Sequence, residues 1–215
     1  MYSLDFTRVS LEKTPDIMQQ YRQALVDTAR EACQRHLSAG TFGVISFRLP
    51  VAGLFLITPI ETSFADIRNG DICLIDSTGN LQKEIGGLKL PPETKFHLKS
   101  YTVRTEINAI AHLHPPYASA YALRGKEFGL VTQTARSKIK EVLRVQCGEC
   151  ISRFCGLCSC RTDIRTSYAG VNVLLLKEDG IVTLGTDLEG VMNLADLAEK
   201  TAQAAFVNKS WPPST

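Results

Sequence analysis

The sequence predicts an α/β protein, a three-layer α/β/α domain around a central, mainly antiparallel mixed sheet. Two observations lead to this prediction. Stretches with helical periodicity lie at both ends of the chain, and short apolar runs typical of strands lie between them. A chain of 215 residues, 44% of them hydrophobic, suffices for one domain with a substantial core. We see neither a repeat nor a linker and expect a single domain over residues 1–215, with a cysteine-rich, insert-like segment at about 145–162.

The elements are predicted in order from caps, periodicity and turn residues. Thr14 is a helix-capping residue type, Pro15 suits the first helical turn, and apolar residues then recur at helical spacing, which predicts a helix to Leu37. A last helix is predicted from Asp187 to about Phe206, whereas the stretch 127–165 has little periodicity. Between them we predict strands at Val44–Arg48, Leu54–Thr58, Ile72–Ile75, Ile107–His114, Val171–Leu176 and Ile181–Leu184, and helices at Glu93–Arg104 and Tyr117–Leu123.

The charge pattern excludes some classes of partner. The net charge of +2 comes from 24 basic and 22 acidic residues that are well mixed along the chain. Without a basic stripe, neither nucleic acid nor an anionic membrane is an expected partner. The apolar runs are too short to span a bilayer, and the N-terminal residues lack the pattern of a signal peptide, so a cytoplasmic location is the default expectation.

A His-Leu-His strand is the first candidate site. Because alternate residues of a strand face the same side, His112 and His114 project together, with Cα atoms about 7 Å apart. Two such imidazoles can chelate a divalent ion, and Pro115-Pro116 places them at the end of the strand. The spacing alone is equally compatible with two unrelated histidines.

Several further blocks accompany this strand in a fixed order, and together they resemble the class II aldolase/adducin family. The resemblance covers about Gly40 to Leu123 and resumes over Val173–Gly185 and the last helix, so only the cysteine region is unmatched. The blocks are Gly40–Arg48, Phe55–Pro59, Asp71–Asp76, Leu90–Glu93, Phe96-His97 and Ala111–His114.

The resemblance implies roles for three residues. His112 and His114 correspond to two zinc ligands of the family, and Glu93 to the acid that shuttles the proton. It also implies a homotetramer with four-fold symmetry and active sites at the subunit interfaces. Without the resemblance, Glu93 is better explained as an acidic residue at a helix N-terminus.

The sequence departs from the family pattern at the metal and phosphate positions. Asp179 stands where relatives have a third zinc histidine; it can be a ligand, or Asp179-Gly180 can simply be a hairpin turn. His97 is another candidate, although in relatives that histidine lies behind the site. Relatives hold phosphate with Asn, Thr-Gly and Ser-Ser where this chain has Val44, Ile60-Glu61 and Pro91-Pro92. These replacements remove hydrogen-bond donors and add a negative charge, so a typical sugar phosphate is not the expected substrate.

A cysteine cluster suggests a second metal site. In a chain without an export signal, closely spaced thiolates favour a structural Zn²⁺ or an iron–sulfur centre over disulfides, with reduced thiols as the alternative. The cluster comprises Cys147, Cys150, Cys155, Cys158 and Cys160.

Three functional hypotheses follow. The first is a divalent-metal-dependent lyase, with Zn²⁺ as the favoured ion and Mn²⁺ or Fe²⁺ as alternatives, that cleaves a C–C bond of a small hydroxy-carbonyl compound through an enediolate, as an aldolase does. The second is a non-catalytic, adducin-like binding or assembly protein. The third is a metal sensor that uses the cysteines. Retention of Glu93, His112 and His114 favours the enzyme.

Overall fold

A computed structural model describes residues 14–82, 88–145 and 170–210 of the chain. The helices and strands predicted from the sequence within these ranges are present, and their ends lie within a few residues of the expected positions. The elements are α1 (Thr14–Gln34), β1 (Val44–Arg48), β2 (Leu54–Ile57), β3 (Cys73–Asp76), α2 (Thr94–Val103), β4 (Ala109–Leu113), α3 (Pro116–Leu123), α4 (Gln133–Lys138), β5 (Val142–Val145), β6 (Val173–Leu176), β7 (Gly180–Gly185) and α5 (Leu188–Ser210).

The described strands form one seven-stranded sheet in the order β3-β2-β1-β4-β7-β6-β5. Of its neighbouring pairs, β5 and β6 are parallel and the others are antiparallel. The predicted mainly antiparallel mixed sheet is therefore confirmed. Strand β4 lies at its centre, hydrogen-bonded to β1 on one side and to β7 on the other.

Alternation along β4 divides the core into two layers. Ala109, Ala111 and Leu113 face the cluster that also contains the buried residues of α1, α3 and α5. Ile110 faces the opposite cluster, together with Phe96 and Tyr101 of α2. His112 has the same parity as Ile110, so it projects to the side of the sheet that α2 covers.

Two short elements, α4 and β5, were not predicted. Helix α4 has six residues, of which only Ala135 is buried, and strand β5 lies at the edge of the sheet. Neither is long enough to produce a clear hydrophobic period. Strand β5 forms by pairing with β6, which is distant in the sequence.

Candidate metal centre and active site

The two histidines lie where the central strand ends. His112 is the fourth residue of β4, buried between Val44 of β1 and Val182 of β7. His114 follows the strand, is partly exposed, and is held by a hydrogen bond from its backbone N–H to the carbonyl of Leu37, at 3.0 Å. The two rings are 4.8 Å apart between centroids. Pairing on both sides makes this a rigid platform for ligands.

Asp179 reaches the same place from the β6–β7 hairpin. Its backbone N–H donates to the carbonyl of Leu176 at 3.1 Å, and Glu178 adopts a positive φ of 66°, so the segment is a tight turn. Its carboxylate lies 3.1 Å from Nε2 of His114 and 3.6 Å from Nε2 of His112. Asp179 therefore belongs to a turn, as one of the two alternatives predicted. Its carboxylate also faces both histidines, as the other alternative requires, and its role as a ligand stays a prediction.

Gly180 makes this approach sterically feasible. A Cβ at this position would lie 2.4 Å from the carbonyl oxygen of Leu113 and 2.8 Å from Cδ2 of His114. Both distances are far below contact distance, and one involves backbone that cannot move aside. Only glycine lets the hairpin pack closely enough for Asp179 to reach the end of β4.

The donor set fits a divalent cation. One ligand atom from each of His112, His114 and Asp179 lies within 4.8 Å of the others. Among the described residues, neither ring nitrogen of His112 has a hydrogen-bond partner, nor has Nδ1 of His114, although all three atoms are buried. Unpartnered buried nitrogens are unfavourable unless something binds them, and two imidazoles with a carboxylate suit Zn²⁺, Mn²⁺ or Fe²⁺.

The electrostatics favour an ionised Asp179. Burial acts to raise the pKa of its carboxyl group, but the contacts with His112 and His114 outweigh burial and hold the pKa below its usual range. The carboxylate is therefore negatively charged at neutral pH, as a metal ligand must be.

Glu93 lies on the other side of the His112 ring. It is the residue before α2, and its Oε1 is 3.7 Å from Nδ1 of His112, whereas Asp179 faces Nε2. Its second carboxylate oxygen, Oε2, is buried and has no hydrogen-bond partner among the described residues. The structure thus brings Glu93 beside the histidine pair but outside the group of three candidate ligands.

His97 lies one helical turn after Glu93, in the interior. Its Nδ1 is 2.7 Å from Oγ of Ser46, which in turn is 2.7 Å from the hydroxyl of Tyr101. Burial, assisted by the nearby His112, lowers the pKa of His97 to about 3, so its ring is neutral. His97 is not among the three candidate ligands. Ser46 and Tyr101 were not singled out from the sequence, although the spacing of Glu93, His97 and Tyr101 places them on one helix face.

The positions that differ from the family's phosphate pattern are also located. Val44 is buried opposite His112 in the β1–β4 ladder. Glu61 is exposed, and its carboxylate is 3.2 Å from Nζ of Lys89. Phe42 was not predicted to lie near the site. It is 67% exposed and has its ring edge-on to that of His114, with centroids 6.3 Å apart. An exposed aromatic ring therefore borders the histidine pair.

The predicted cysteine site lies outside the described residues, because 146–169 are not among them. Cys147, Cys150, Cys155, Cys158 and Cys160 therefore remain a prediction. Of the cysteines that the structure does describe, Cys33 is partly exposed and Cys73 is buried, and both are free thiols.

Comparisons with known proteins show which family the chain belongs to. The family model for the class II aldolase and adducin N-terminal domain matches residues 23–206. An L-fuculose phosphate aldolase from Methanococcus maripaludis is 30% identical over 173 residues, which is 80% of this chain and 89% of that protein. A 5-methylthioribulose-1-phosphate/5-deoxyribulose-1-phosphate aldolase from Rhodospirillum rubrum is 27% identical over 182 residues, covering 85% and 78% of the two chains. The chain belongs to the class II aldolase/adducin family.

A solved structure supports the fold independently. The L-fuculose 1-phosphate aldolase from Glaciozyma antarctica superposes with a TM-score of 0.79 at 18% identity, covering 98% of this chain and 80% of that one. The predicted family and fold class are thereby confirmed, and the names of the relatives support the prediction of an aldolase-type enzyme.

None of the helices in the described part of the chain combines the length and the hydrophobicity that a membrane-spanning segment needs.

Proposed function

We propose that this protein is a divalent-metal-dependent aldolase that cleaves a C–C bond in a small hydroxy-carbonyl compound. The observation that carries the proposal is the convergence of His112, His114 and Asp179 at the end of β4, with Glu93 on the far side of His112. A divalent ion held there would supply Lewis-acid polarisation of the substrate's carbonyl and hydroxyl oxygens and so stabilise an enediolate.

We assign a separate role to each residue around this position. His112 and His114 present neutral nitrogen ligands from a rigid strand end, and Asp179 adds one negative charge. Glu93, whose carboxylate is 3.7 Å from Nδ1 of His112, would accept a proton from a substrate bound beside the ion and return it to the carbon when the bond is broken. The partly exposed side of His114, bordered by Phe42, is the side open to a substrate.

For the ion itself we propose Zn²⁺, with Mn²⁺ or Fe²⁺ as alternatives. Two imidazoles and one carboxylate are a harder ligand set than three imidazoles, so this site binds Mn²⁺ or Fe²⁺ relatively better than a three-histidine site does. A site with three protein ligands leaves positions for the substrate.

For the substrate we propose a compound less anionic than a typical sugar phosphate. The side chain of Val44, buried opposite His112, offers no hydrogen bond to a phosphate. Glu61 carries a carboxylate, paired with Lys89 at 3.2 Å, which likewise has no hydrogen-bond donor to offer a phosphate. The relatives named above act on phosphorylated sugars, according to their names. The substrate proposal is therefore tested by comparing kcat/KM for phosphorylated and unphosphorylated hydroxy-ketones of the same chain length. A higher kcat/KM for the phosphorylated member would contradict this part of the proposal.

Metal analysis of the purified protein tests the site directly. We expect about one divalent ion to be lost in His112→Asn and retained in His36→Asn. His36 is an exposed histidine with a positive φ of 58° that asparagine tolerates, which makes it a matched control. Retention of the ion and of aldol cleavage in His112→Asn would contradict the proposal.

The cysteine cluster and the assembly remain separate proposals. If a second Zn²⁺ or an iron–sulfur centre is bound at the cysteines, we expect Cys155→Ser to lose that metal. We assign no part of aldol cleavage to the cysteine site. Metal lost only in that variant would instead favour the sensor or structural hypothesis.

We also propose a homotetramer of cytoplasmic location. Light scattering after size exclusion that gives a monomer would contradict the assembly. A tetramer that binds no ion at His112 would favour the non-catalytic, adducin-like alternative.

A further inference from the structure

Each candidate histidine ligand has an apolar neighbour on the segment that enters β1. Val44 is the direct partner of His112 in the β1–β4 ladder, and side chains paired in this way have Cβ atoms about 5 Å apart. Continued by two residues, the same register places Phe42 level with His114. The contact between the rings of Phe42 and His114, with centroids 6.3 Å apart, agrees with that register. The segment 42–44 therefore runs beside the histidine pair.

The backbone that carries Phe42 is held against the central strand. Its N–H donates to the carbonyl of Ala39 at 3.2 Å, and its carbonyl accepts a hydrogen bond from the hydroxyl of buried Ser38. The next residue, Gly43, has a φ of 126°, and a Cβ there would lie 3.2 Å from the carbonyl oxygen of His112. This close packing fixes the backbone of Phe42 relative to the histidines.

The ring of Phe42 presents apolar surface on the open side of the candidate site. Phe42 is the most exposed of the large apolar side chains that the structure describes, whereas Val44 is buried. A single exposed apolar side chain is common on a protein surface, but this one borders His114, the more exposed of the two histidines. An apolar group of a substrate placed over this ring would remove apolar area of both partners from water.

We infer that Phe42 is a specificity-determining residue that selects substrates with an apolar substituent, alkyl or aryl, on the ketone. The resemblance to the family implies a phosphate contact at the position of Val44, two residues from Phe42. Neither side chain can donate a hydrogen bond to an anion, and both favour an apolar group in its place. The inference rests on the proposed aldolase function and names its substrate class, a hydroxymethyl ketone with an apolar substituent.

Three substrates that differ in one group test the selection. They are the aldol adducts of one aldehyde with 1-hydroxy-2-pentanone, with dihydroxyacetone and with dihydroxyacetone phosphate, so the substituent is propyl, hydroxymethyl or its phosphate. We expect Phe42→Ala to lower kcat/KM for the propyl substrate roughly 10-fold, mainly through KM, as the loss of an apolar contact does. For the hydroxymethyl substrate we expect a change within about 2-fold. Each substrate is compared with itself in the wild type, so intrinsic reactivity cancels.

Two further variants serve as controls. Phe42→Leu keeps an apolar side chain and should retain most of kcat/KM for the propyl substrate. Val51→Ala shortens another exposed apolar side chain, which lies beyond the end of β1 opposite to Val44, and should match the wild type on all three substrates. Equal losses on all three substrates in Phe42→Ala would overturn the inference. If light scattering also showed a smaller assembly in that variant, a second copy of the chain would be what covers the ring.

A binding measurement separates this inference from the proposed function. Calorimetry with Zn²⁺-loaded protein gives Kd for 1-hydroxy-2-pentanone and for dihydroxyacetone without turnover. We expect the propyl ketone to bind more tightly, and its Kd to rise roughly 10-fold in Phe42→Ala but not in Val51→Ala. Equal Kd values in the wild type and Phe42→Ala would overturn the inference and leave the aldolase proposal intact. Binding that depends on Phe42 in a protein that cleaves none of the three substrates would refute the aldolase proposal but not the apolar selectivity.

Discussion

At the scale of single residues, Asp179 is the candidate ligand that distinguishes this site from the pattern of the family. The resemblance to the family implies a histidine ligand at this position, where the chain has a carboxylate. The structure puts that carboxylate within 3.6 Å of both imidazoles. Replacing a neutral ligand by an anionic one lowers the charge of the site by one unit. The residue is thus expected to influence both how tightly and how selectively the site binds a cation.

Substitutions at Asp179 should separate charge from shape. Asp179→Asn keeps the shape but removes the charge, so we expect Zn²⁺ affinity to fall at least about 10-fold. Asp179→His should retain Zn²⁺ and bind Mn²⁺ less well relative to it. Competition with a chromophoric chelator measures both affinities, with Asp66→Asn, at an exposed aspartate, as the control. Unchanged affinity in Asp179→Asn would exclude this carboxylate from the ligand set.

The buried thiol of Cys73 provides a second prediction at this scale. Burial raises the pKa of Cys73 to about 11, an effect that nearby Arg22 only partly opposes. At pH 8 about one thiol in a thousand is then ionised, and alkylation needs the thiolate. We expect iodoacetamide to leave Cys73 unmodified in the folded protein while partly exposed Cys33 reacts, as read by peptide mass spectrometry. Equal labelling at both positions before unfolding would contradict the described packing.

At the scale of elements, the site depends on how the ends of strands and helices are held. The β6–β7 hairpin carries Asp179 to the end of β4, and at Gly180 there is no room for a Cβ between the two segments. On the opposite face of the sheet, Glu199 of α5 accepts hydrogen bonds from the backbone N–H groups of Tyr117 and Ala118, each at 2.9 Å. This carboxylate caps the first turn of α3, just after His114.

Gly180→Ala tests the close approach of the hairpin. The added Cβ cannot fit 2.4 Å from the carbonyl oxygen of Leu113, so the hairpin must move away from β4. We expect the free energy of unfolding to fall by about 1–3 kcal/mol and the metal affinity to fall as well. Gly70→Ala is the matched control, because its Cβ would meet nothing within 4 Å and its φ is not positive. Equal stability of the two variants in a denaturant titration would contradict this account.

Glu199→Gln tests the cap between helices. The amide retains one acceptor oxygen but turns an N–H group toward a backbone N–H and loses the charge, so we expect a loss of about 1–3 kcal/mol in unfolding free energy. Glu189→Gln, at an exposed residue of the same helix, should be close to neutral. Urea unfolding of both variants gives the comparison, and a neutral Glu199→Gln would mean that solvent replaces the cap at no cost.

At the scale of the whole molecule, the sheet order brings separate parts of the chain to one place. Glu93, the His112–His114 pair and Asp179 come from three separate segments. Asp179 meets the histidines because β7 pairs with β4, and Glu93 meets them because α2 covers the face of β4 to which His112 projects. In the unfolded chain these groups are far apart. An ion that binds them together therefore binds the folded state and stabilises it.

Metal binding should for this reason raise the melting temperature. At an ion concentration about 100 times Kd the stabilisation is about 2.7 kcal/mol, which in a chain of this size corresponds to roughly 5–10 °C. We expect this shift when Zn²⁺ is added to chelator-treated protein and a smaller one in His112→Asn; the difference between them isolates this site from ions bound at the cysteines. Identical shifts in both proteins would show that the ion binds elsewhere.

The limits of prediction from sequence can be seen in particular elements. Helices α1 and α5 repeat their apolar period over more than 20 residues, and strands β1 to β4 are bounded by turn residues, so local patterns identify them. Helix α4 and strand β5 are too short to show a period, and β5 exists through its pairing with β6. Glu93, His112 and His114 were found by resemblance to a family, since a His-x-His spacing is weak by itself.

By itself, the sequence determined which residue types are available and which segments form helices and strands, because caps, turns and periodicity act over a few neighbouring residues. Only the tertiary structure decided that Asp179 faces both histidines, that Gly180 permits this approach, and that Ser46 links His97 to Tyr101. These facts depend on strand order and register, which are set by packing between residues far apart in the chain.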